Sequence, residues 1–352
     1  MNVQLQSRVP QKQRMAARIV FFDASNDDSR YFSGCFDGLA AFHANPLDPD
    51  HLQQAEGAEI VVVSLASRIT AGMLRALPGL KLIATRSSSF DHIDFQACEQ
   101  HRITVCNVPT YGSRAVAEFA FGLIIMLARR IGEGMQRVRD LQFNSFGLRG
   151  FDLQNKTIGV IGTGHIGREV IRLALAFNMH VLACDIKPDL RLAEAYKFAY
   201  VALPELLRQA DIITLHVPYY EGTHHLLNRS NFNEVKPGAL LVNTSRGAVI
   251  ETAALMTALY SGALGGAALD VIEEELAVQE EMELLLLHRI EDTQLRIVLE
   301  NHALVRMPNV ILTPHIAFNS REAVEEIWKV TERNIQKFLQ GHPQNVIEPE
   351  SI

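Results

Sequence analysis

Short apolar runs alternate with amphipathic stretches along nearly the whole of this 352-residue chain, and that rhythm leaves few folds open. Residues 18–23 (RIVFFD), 59–65 (EIVVVSL), 80–86 (LKLIATR) and 103–105 read as strands, and a helical stretch closes at Pro78-Gly79. A long, largely buried helix is expected over 114–139, followed by a loop at 140–156. The rhythm then restarts, with strands expected at 157–161, 180–185, 211–216, 238–243, 265–271 and 309–313. Helices are expected at 166–178, 203–209, 251–261, 273–306 and 320–339, the last ended by Gly341 and Pro343. Strands that alternate with helices build parallel sheets, because each crossover must return across a sheet face. The class is therefore α/β, with two doubly wound halves and a C-terminal helix that returns to the first.

Composition narrows the partners. Lys and Arg number 33 against 40 Asp and Glu, a net charge of −7 that suits neither nucleic acid nor an anionic membrane. The longest apolar run, 119–128, is too short to span a bilayer and stops at Arg129 and Arg130. Cys35, Cys98, Cys106 and Cys184 show neither C-x-x-C nor zinc spacing, so no metal is expected and reduced thiols in the cytoplasm are. Residues 1–17 lack the apolar core of a secretory signal and read as a polar, disordered tail.

The sharpest local signal is Gly162-Thr163-Gly164-His165-Ile166-Gly167, between the apolar run TIGVI and a helical stretch. There Gly162 makes a tight turn, Gly164 lets backbone approach a pyrophosphate, and Gly167 lets helix and strand pack closely. Asp185 ends the next strand, eighteen positions after Gly167. A carboxylate there accepts both adenosine ribose hydroxyls and repels a 2′-phosphate, which favours NAD over NADP. Without the glycine motif, Asp185 would read as a solvated turn acid before Lys187-Pro188; with it, the cofactor role is expected.

Reduction of a 2-oxo acid needs a cation for the carboxylate, an acid for the carbonyl oxygen, and a group that keeps that acid charged. Segments ending in Asn243-Thr244-Ser245-Arg246-Gly247, Asp270-Val271-Ile272-Glu273-Glu274-Glu275 and Thr313-Pro314-His315 follow expected strand ends, where an open α/β sheet binds its ligand. Taken singly, Arg246 reads as a surface arginine, His315 as a core histidine, and the three glutamates as a solvated helix face. Together with TRSSSFDHID, CNVPTYG, ITLHVP and GAALDVIEEE, in this order, they resemble the D-isomer-specific 2-hydroxyacid dehydrogenases from Arg18 to about Val346. The likeness is closest to the D-lactate dehydrogenase branch.

That resemblance implies a Rossmann NAD-binding domain (109–316) inserted into a flavodoxin-like substrate domain (18–108 and 317–346), and a homodimer built through 114–139 and its neighbours. It implies that Arg246 binds the substrate carboxylate and carbonyl, that His315 is the acid/base, and that Glu275 orients His315. His165 and Ile166 would lend amides to the pyrophosphate, Val217 and Pro218 would pack on the adenosine with Thr223 nearby, and Thr244, Ser245 and Asp270 would lie at the nicotinamide end. Residues 86–91, with Ser88 and Ser89, would form a substrate-carboxylate loop, and Tyr111 and Phe318 would line the side-chain pocket. The implied substrate is a small 2-oxo or 2-hydroxy acid, D-lactate or pyruvate-like.

Two departures stand out. Ser89 replaces the family's usual loop glycine, adding a Cβ and a hydroxyl where backbone meets ligand. A long acidic, leucine-rich segment joins Glu275 to His315, with its run at 284–287 expected to pack and its acids to be solvated. Two other readings share the fold: a phosphoglycerate dehydrogenase-like enzyme, and an NADH-sensing corepressor-type scaffold. Neither an appended regulatory domain nor a partner-docking segment is expected, which weakens the first reading without removing it.

Overall fold

A computed structural model describes residues 19–275 and 292–348. The tail at 1–17 and the leucine run at 284–287 lie outside the described residues. The chain divides into two compact units, one of residues up to Pro109 and from Ile327 onward, the other Thr110–Glu326.

The first unit holds β1 (Ile19–Phe21), β2 (Ala40–Phe42), β3 (Ile60–Val63), β4 (Leu82–Thr85) and β5 (Thr104–Cys106). They form a five-stranded parallel sheet in the order β2-β1-β3-β4-β5. Ile60, Val61, Val62 and Val63 are all buried, which explains the unbroken apolar run: both sheet faces are covered. One face packs Val61, Val63 and Ile83 with Met73 and Leu74, the other Phe21, Phe32, Val62 and Ile335. Each such side chain contributes about 1.5–3 kcal/mol on burial. The helix Asn26–Cys35 was not read from the sequence, although Ser25 and Asp28 form a capping box that announces it.

The second unit holds β6 (Thr157–Ile161), β7 (His180–Cys184), β8 (Ala199–Tyr200), β9 (Ile212–Leu215), β10 (Ala239–Asn243), β11 (Leu264–Leu269) and β12 (Val310–Leu312). Their order is β12-β11-β10-β9-β6-β7-β8, all parallel. The chain leaves β6 toward β7 and β8, then returns to β9 on the other side of β6. That reversal opens a crevice at the carboxyl ends of β6 and β9.

Two expectations are corrected. The helix over 114–139 is two helices, Ser113–Ala128 and Ile131–Arg139, with Arg130 in the left-handed region at φ 52°. The break has a specific cause: the amide of Phe151 donates to the carbonyl of Ala128 at 3.0 Å, taking the acceptor that the next helical turn needs. Arg130 then ties down the bend, pairing with Glu133 at 2.7 and 3.0 Å and donating to the Gly147 carbonyl at 2.8 Å. Residues 317–326 also stay with the second unit, rather than joining the first at 317. They are held there because the Ala317 amide donates to Asp270 at 2.8 Å and the Phe318 ring packs edge-on to Tyr111. Within the expected helix 273–306, the described part is helical over Asp292–Val305.

Candidate active site

The carboxyl ends of the second sheet gather most of the residues singled out above. Gly162 follows β6 at φ 92°, and a side chain there would strike the His216 carbonyl at 2.5 Å. A Cβ on Gly167 would collide with the carbonyl of Gly162, so the turn and the helix His165–Ala176 are packed as tightly as glycine allows. Beside Gly164, by contrast, nothing lies within 4 Å. His165 and Ile166 open the helix, whose first amides point out of its N-terminus and attract anions.

Asp185, just past β7, is half-buried. Its Oδ2 accepts from the Thr163 amide at 2.6 Å and the Thr163 hydroxyl at 2.8 Å, and its Oδ1 from the Lys187 amide at 2.8 Å. Burial pushes this carboxyl up, but the amides of Lys187 and Thr163 outweigh it and leave the group below the usual carboxylate range. Val217 packs on the core under β9. Thr223 is buried and braces its own loop, donating to the Pro218 carbonyl at 2.7 Å. His216 is half-buried with its ring nitrogens turned inward, Nδ1 buried and Nε2 at 2.9 Å from the Thr214 hydroxyl, and desolvation lowers its pKa to about 3.

After β10, Ser245 donates to Asn243 at 2.7 Å, and the Thr244 hydroxyl is buried with no partner among the described residues. Arg246 is half-buried, with one guanidinium nitrogen on the Ser245 carbonyl at 2.9 Å.

Asp270, after β11, is buried, and its carboxylate is fully engaged by the next loop. Oδ1 accepts from the Thr313 hydroxyl at 2.6 Å and the Ile316 amide at 3.0 Å, and Oδ2 from the Ala317 amide. Between those anchors stands His315, in the left-handed region at φ 53°. Its Nδ1 lies 3.1 and 3.2 Å from the Glu275 carboxylate oxygens.

Several contributors were not read from the sequence. Glu273, 8% exposed, is no solvated face: it meets His225 Nε2 at 2.6 Å and accepts from the Thr252 hydroxyl at 2.7 Å. Asn301 adds a bond to the Glu273 carbonyl at 2.8 Å, so the strand-end segment carrying Glu275 is clamped from two sides. Spacing could not show this, since three consecutive glutamates look alike until burial separates them. Thr163 sat inside the glycine motif as its unspecified position, and only its contact with Asp185 gives it a task.

Ser88 and Ser89 belong to the first unit. There the Ser87 hydroxyl donates to the Ser89 carbonyl at 2.6 Å, and Asn107 donates to the Ser88 carbonyl at 2.7 Å. Arg86, at the head of that loop, is buried and spent on structure, meeting Asp28 at 2.8 Å and the carbonyls of Phe22 and Asp23 at 3.0 and 2.6 Å. Tyr111 and Phe318 come together in the second unit with ring centroids 6.1 Å apart.

A glycine turn, an acid after the next strand and a histidine facing a carboxylate stand at the carboxyl ends of this sheet, and the chain matches a known family. The model of the D-isomer specific 2-hydroxyacid dehydrogenase NAD-binding domain matches residues 121–317. The chain belongs to the D-isomer-specific 2-hydroxyacid dehydrogenase family. The 2-hydroxyacid dehydrogenase homolog 2 of Schizosaccharomyces pombe is 36% identical over 329 residues, covering 91% of this chain and 96% of that protein. D-lactate dehydrogenase kk1H of Curvularia clavata is 38% identical over 305 residues, 85% of this chain and 83% of that one. Among solved structures, D-lactate dehydrogenase from Aquifex aeolicus, complexed with NAD and lactic acid, superposes with a TM-score of 0.84 at 33% identity over 92% of this chain and 96% of that one. These likenesses place the chain in the D-lactate dehydrogenase-like branch, as an NAD-dependent oxidoreductase acting on D-2-hydroxy acids. The site fits NAD: Gly164 leaves open space at a helix N-terminus, Asp185 is an acceptor, and Thr244 has a hydroxyl to give.

Proposed function

We propose that this dehydrogenase interconverts a small 2-oxo acid, pyruvate-like in size, and its D-2-hydroxy acid, with His315 as the acid/base. The observation that carries this reading is the His315–Glu275 contact on a loop pinned by Asp270. Glu275 takes Nδ1 and orients the ring, which leaves Nε2 to face substrate. Bound NADH supplies the hydride that reaches C2. His315 gives its Nε2 proton to the carbonyl oxygen, and in the reverse direction the neutral ring takes the hydroxyl proton.

Arg246 holds the substrate carboxylate and polarises the carbonyl, a task for a planar, permanently charged group. Asp185 takes an adenosine ribose hydroxyl on Oδ1, its Oδ2 being held by Thr163. Helix amides at His165 and Ile166 meet the pyrophosphate, with Gly162, Gly164 and Gly167 giving it room. Val217, Pro218 and Thr223 shape the adenosine side, and Thr244, Ser245 and Asp270 the nicotinamide side. The second unit is the nucleotide domain, and the first, with Ser88 and Ser89, supplies the substrate loop. Tyr111 and Phe318 set the room for the substrate side chain.

A homodimer is part of the same reading, supported by the exposed apolar residues Leu141, Phe143 and Phe146 beyond the helix Ile131–Arg139. Four unpaired thiols agree with a cytoplasmic setting.

The test is NADH oxidation with a panel of 2-oxo acids, scored for rate and product chirality. Wild-type enzyme should give D-products, and His315→Ala should lose about 100- to 10,000-fold in kcat while still binding NADH. Wild-type turnover in that variant overturns the mechanism, and silence against every acid overturns the substrate class.

A further inference from the structure

We propose that Thr163 and Tyr200 are specificity-determining residues, which lock the Asp185 carboxylate in place so that it cannot turn aside for a 2′-phosphorylated dinucleotide. This rests on the reading of Asp185 as the ribose acceptor.

The direction of each hydrogen bond follows by elimination. A carboxylate only accepts, so the Thr163 hydroxyl, 2.8 Å from Asp185 Oδ2, must donate its proton there. Tyr200 Oη lies 2.9 Å from the same threonine oxygen and accepts from the Asp189 amide at 3.2 Å. Since the threonine proton is committed, the tyrosine proton must point at Thr163. Three donors thus run one way: Asp189 amide to Tyr200, Tyr200 to Thr163, Thr163 to Asp185.

Arg168 closes the ring. Its Nε donates to the Thr163 carbonyl at 3.0 Å and its terminal nitrogen meets Asp189 Oδ2 at 3.2 Å. Asp189 is fixed in turn, because Oδ1 caps the helix Leu190–Tyr196 through the Leu192 amide at 3.1 Å. The carboxylate of Asp185 is left with a full oxygen, Oδ2, which takes both Thr163 donors. Oδ1 accepts from Lys187 and keeps one lone-pair direction. A ribose hydroxyl can give a proton to that position. A phosphate dianion has none to give and meets a fixed negative charge.

An acid held only by its backbone position could rotate, let a phosphate in, and leave the nearby Arg168 guanidinium to neutralise it. The ring prevents both movements. A merely structural tyrosine would behave differently on removal, weakening both dinucleotides together. A lock changes their ratio.

Direct fluorescence titration of NADH and NADPH separates these cases without requiring turnover, with Asp185→Ala as the reference. In Tyr200→Phe, which keeps the ring contact with Phe198 at 5.2 Å, the ratio of NADPH to NADH Kd should fall several-fold. In Thr163→Val, which removes a bond to a charged group, it should fall about tenfold or more. Thr163→Ser should restore the wild-type ratio. If Asp185→Ala shifts the ratio while Tyr200→Phe and Thr163→Val leave it unchanged, or weaken both ligands equally, the lock is overturned and the Asp185 reading stands. If Asp185→Ala itself leaves the ratio unchanged, both fall. Should Thr163→Val melt before titration, Tyr200→Phe decides.

Discussion

His216 shows how much a single inward-turned side chain can set. It ends the sequence ITLH after β9, its carbonyl walls the turn at Gly162, and its ring nitrogens face inward, Nδ1 buried and Nε2 on the Thr214 hydroxyl. Desolvation lowers its pKa from 6.5 to about 3, so the folded protein keeps it neutral where an unfolded chain would protonate it. The unfolded state therefore binds the extra proton between those two values. Stability from this residue is complete above pH 6.5 and declines as pH falls toward 3, by about 1.4 kcal/mol per unit. Chemical denaturation at stepped pH should show that loss, and a His216→Asn variant should show a flatter profile over the same window. Nothing in the letters ITLH distinguishes this histidine from His315, which the fold holds part-exposed against a carboxylate. The partners separate them: a threonine hydroxyl on His216, a carboxylate on His315.

At the scale of elements, the geometry of the candidate site is the work of strand ends and the loops they release. β11 delivers Asp270, and Asp270 gathers the loop after β12 through the Thr313 hydroxyl and the amides of Ile316 and Ala317. His315 owes its left-handed backbone and its reach toward Glu275 to those three bonds. An amide at position 270 would set an N–H₂ against donors, so Asp270→Asn should loosen the loop and misplace the imidazole. Misplacement of a reacting group by about 1 Å can cost about 100-fold, and kcat should fall on that order while the Kd for NADH changes little. Stopped-flow turnover beside NADH titration checks the split; a change confined to NADH affinity would assign Asp270 to the dinucleotide itself. The strands were legible in the sequence because a parallel sheet buried on both faces demands continuous apolar runs. The break after Ala128 was not, because it depends on Phe151 arriving from a distant loop to take one carbonyl.

For the molecule as a whole, what matters is which apolar surface the two units leave uncovered. Leu141, Phe143 and Phe146 are 94%, 93% and 89% exposed, and the helix before them buries no residue in its own unit. Surfaces of this kind are seldom left bare on a soluble protein. A second copy should cover them, and Phe143→Asp/Phe146→Asp should convert a dimer to a monomer by light scattering on a sizing column. A wild-type chain that runs as a monomer would overturn this. The net charge of −7 gave little guidance to a site that takes an anionic substrate. In the proposed reading, local positive potential from Arg246 and helix N-termini does what the average cannot.

The sequence by itself determined the fold class, the family, the nicotinamide cofactor, and the register of the residues at the strand ends. The fold class follows from periodicity, and the family and cofactor from the resemblance that the ordered motifs carry, all of them properties of nearby letters. Tertiary structure alone decided what each polar side chain is spent on. Asp270 and Glu273 became braces, Arg86 a buried strut, and Thr163 with Tyr200 a clamp on Asp185. Each of these depends on partners tens of residues away, and hydrogen-bond capacity is assigned only when the chain closes around it.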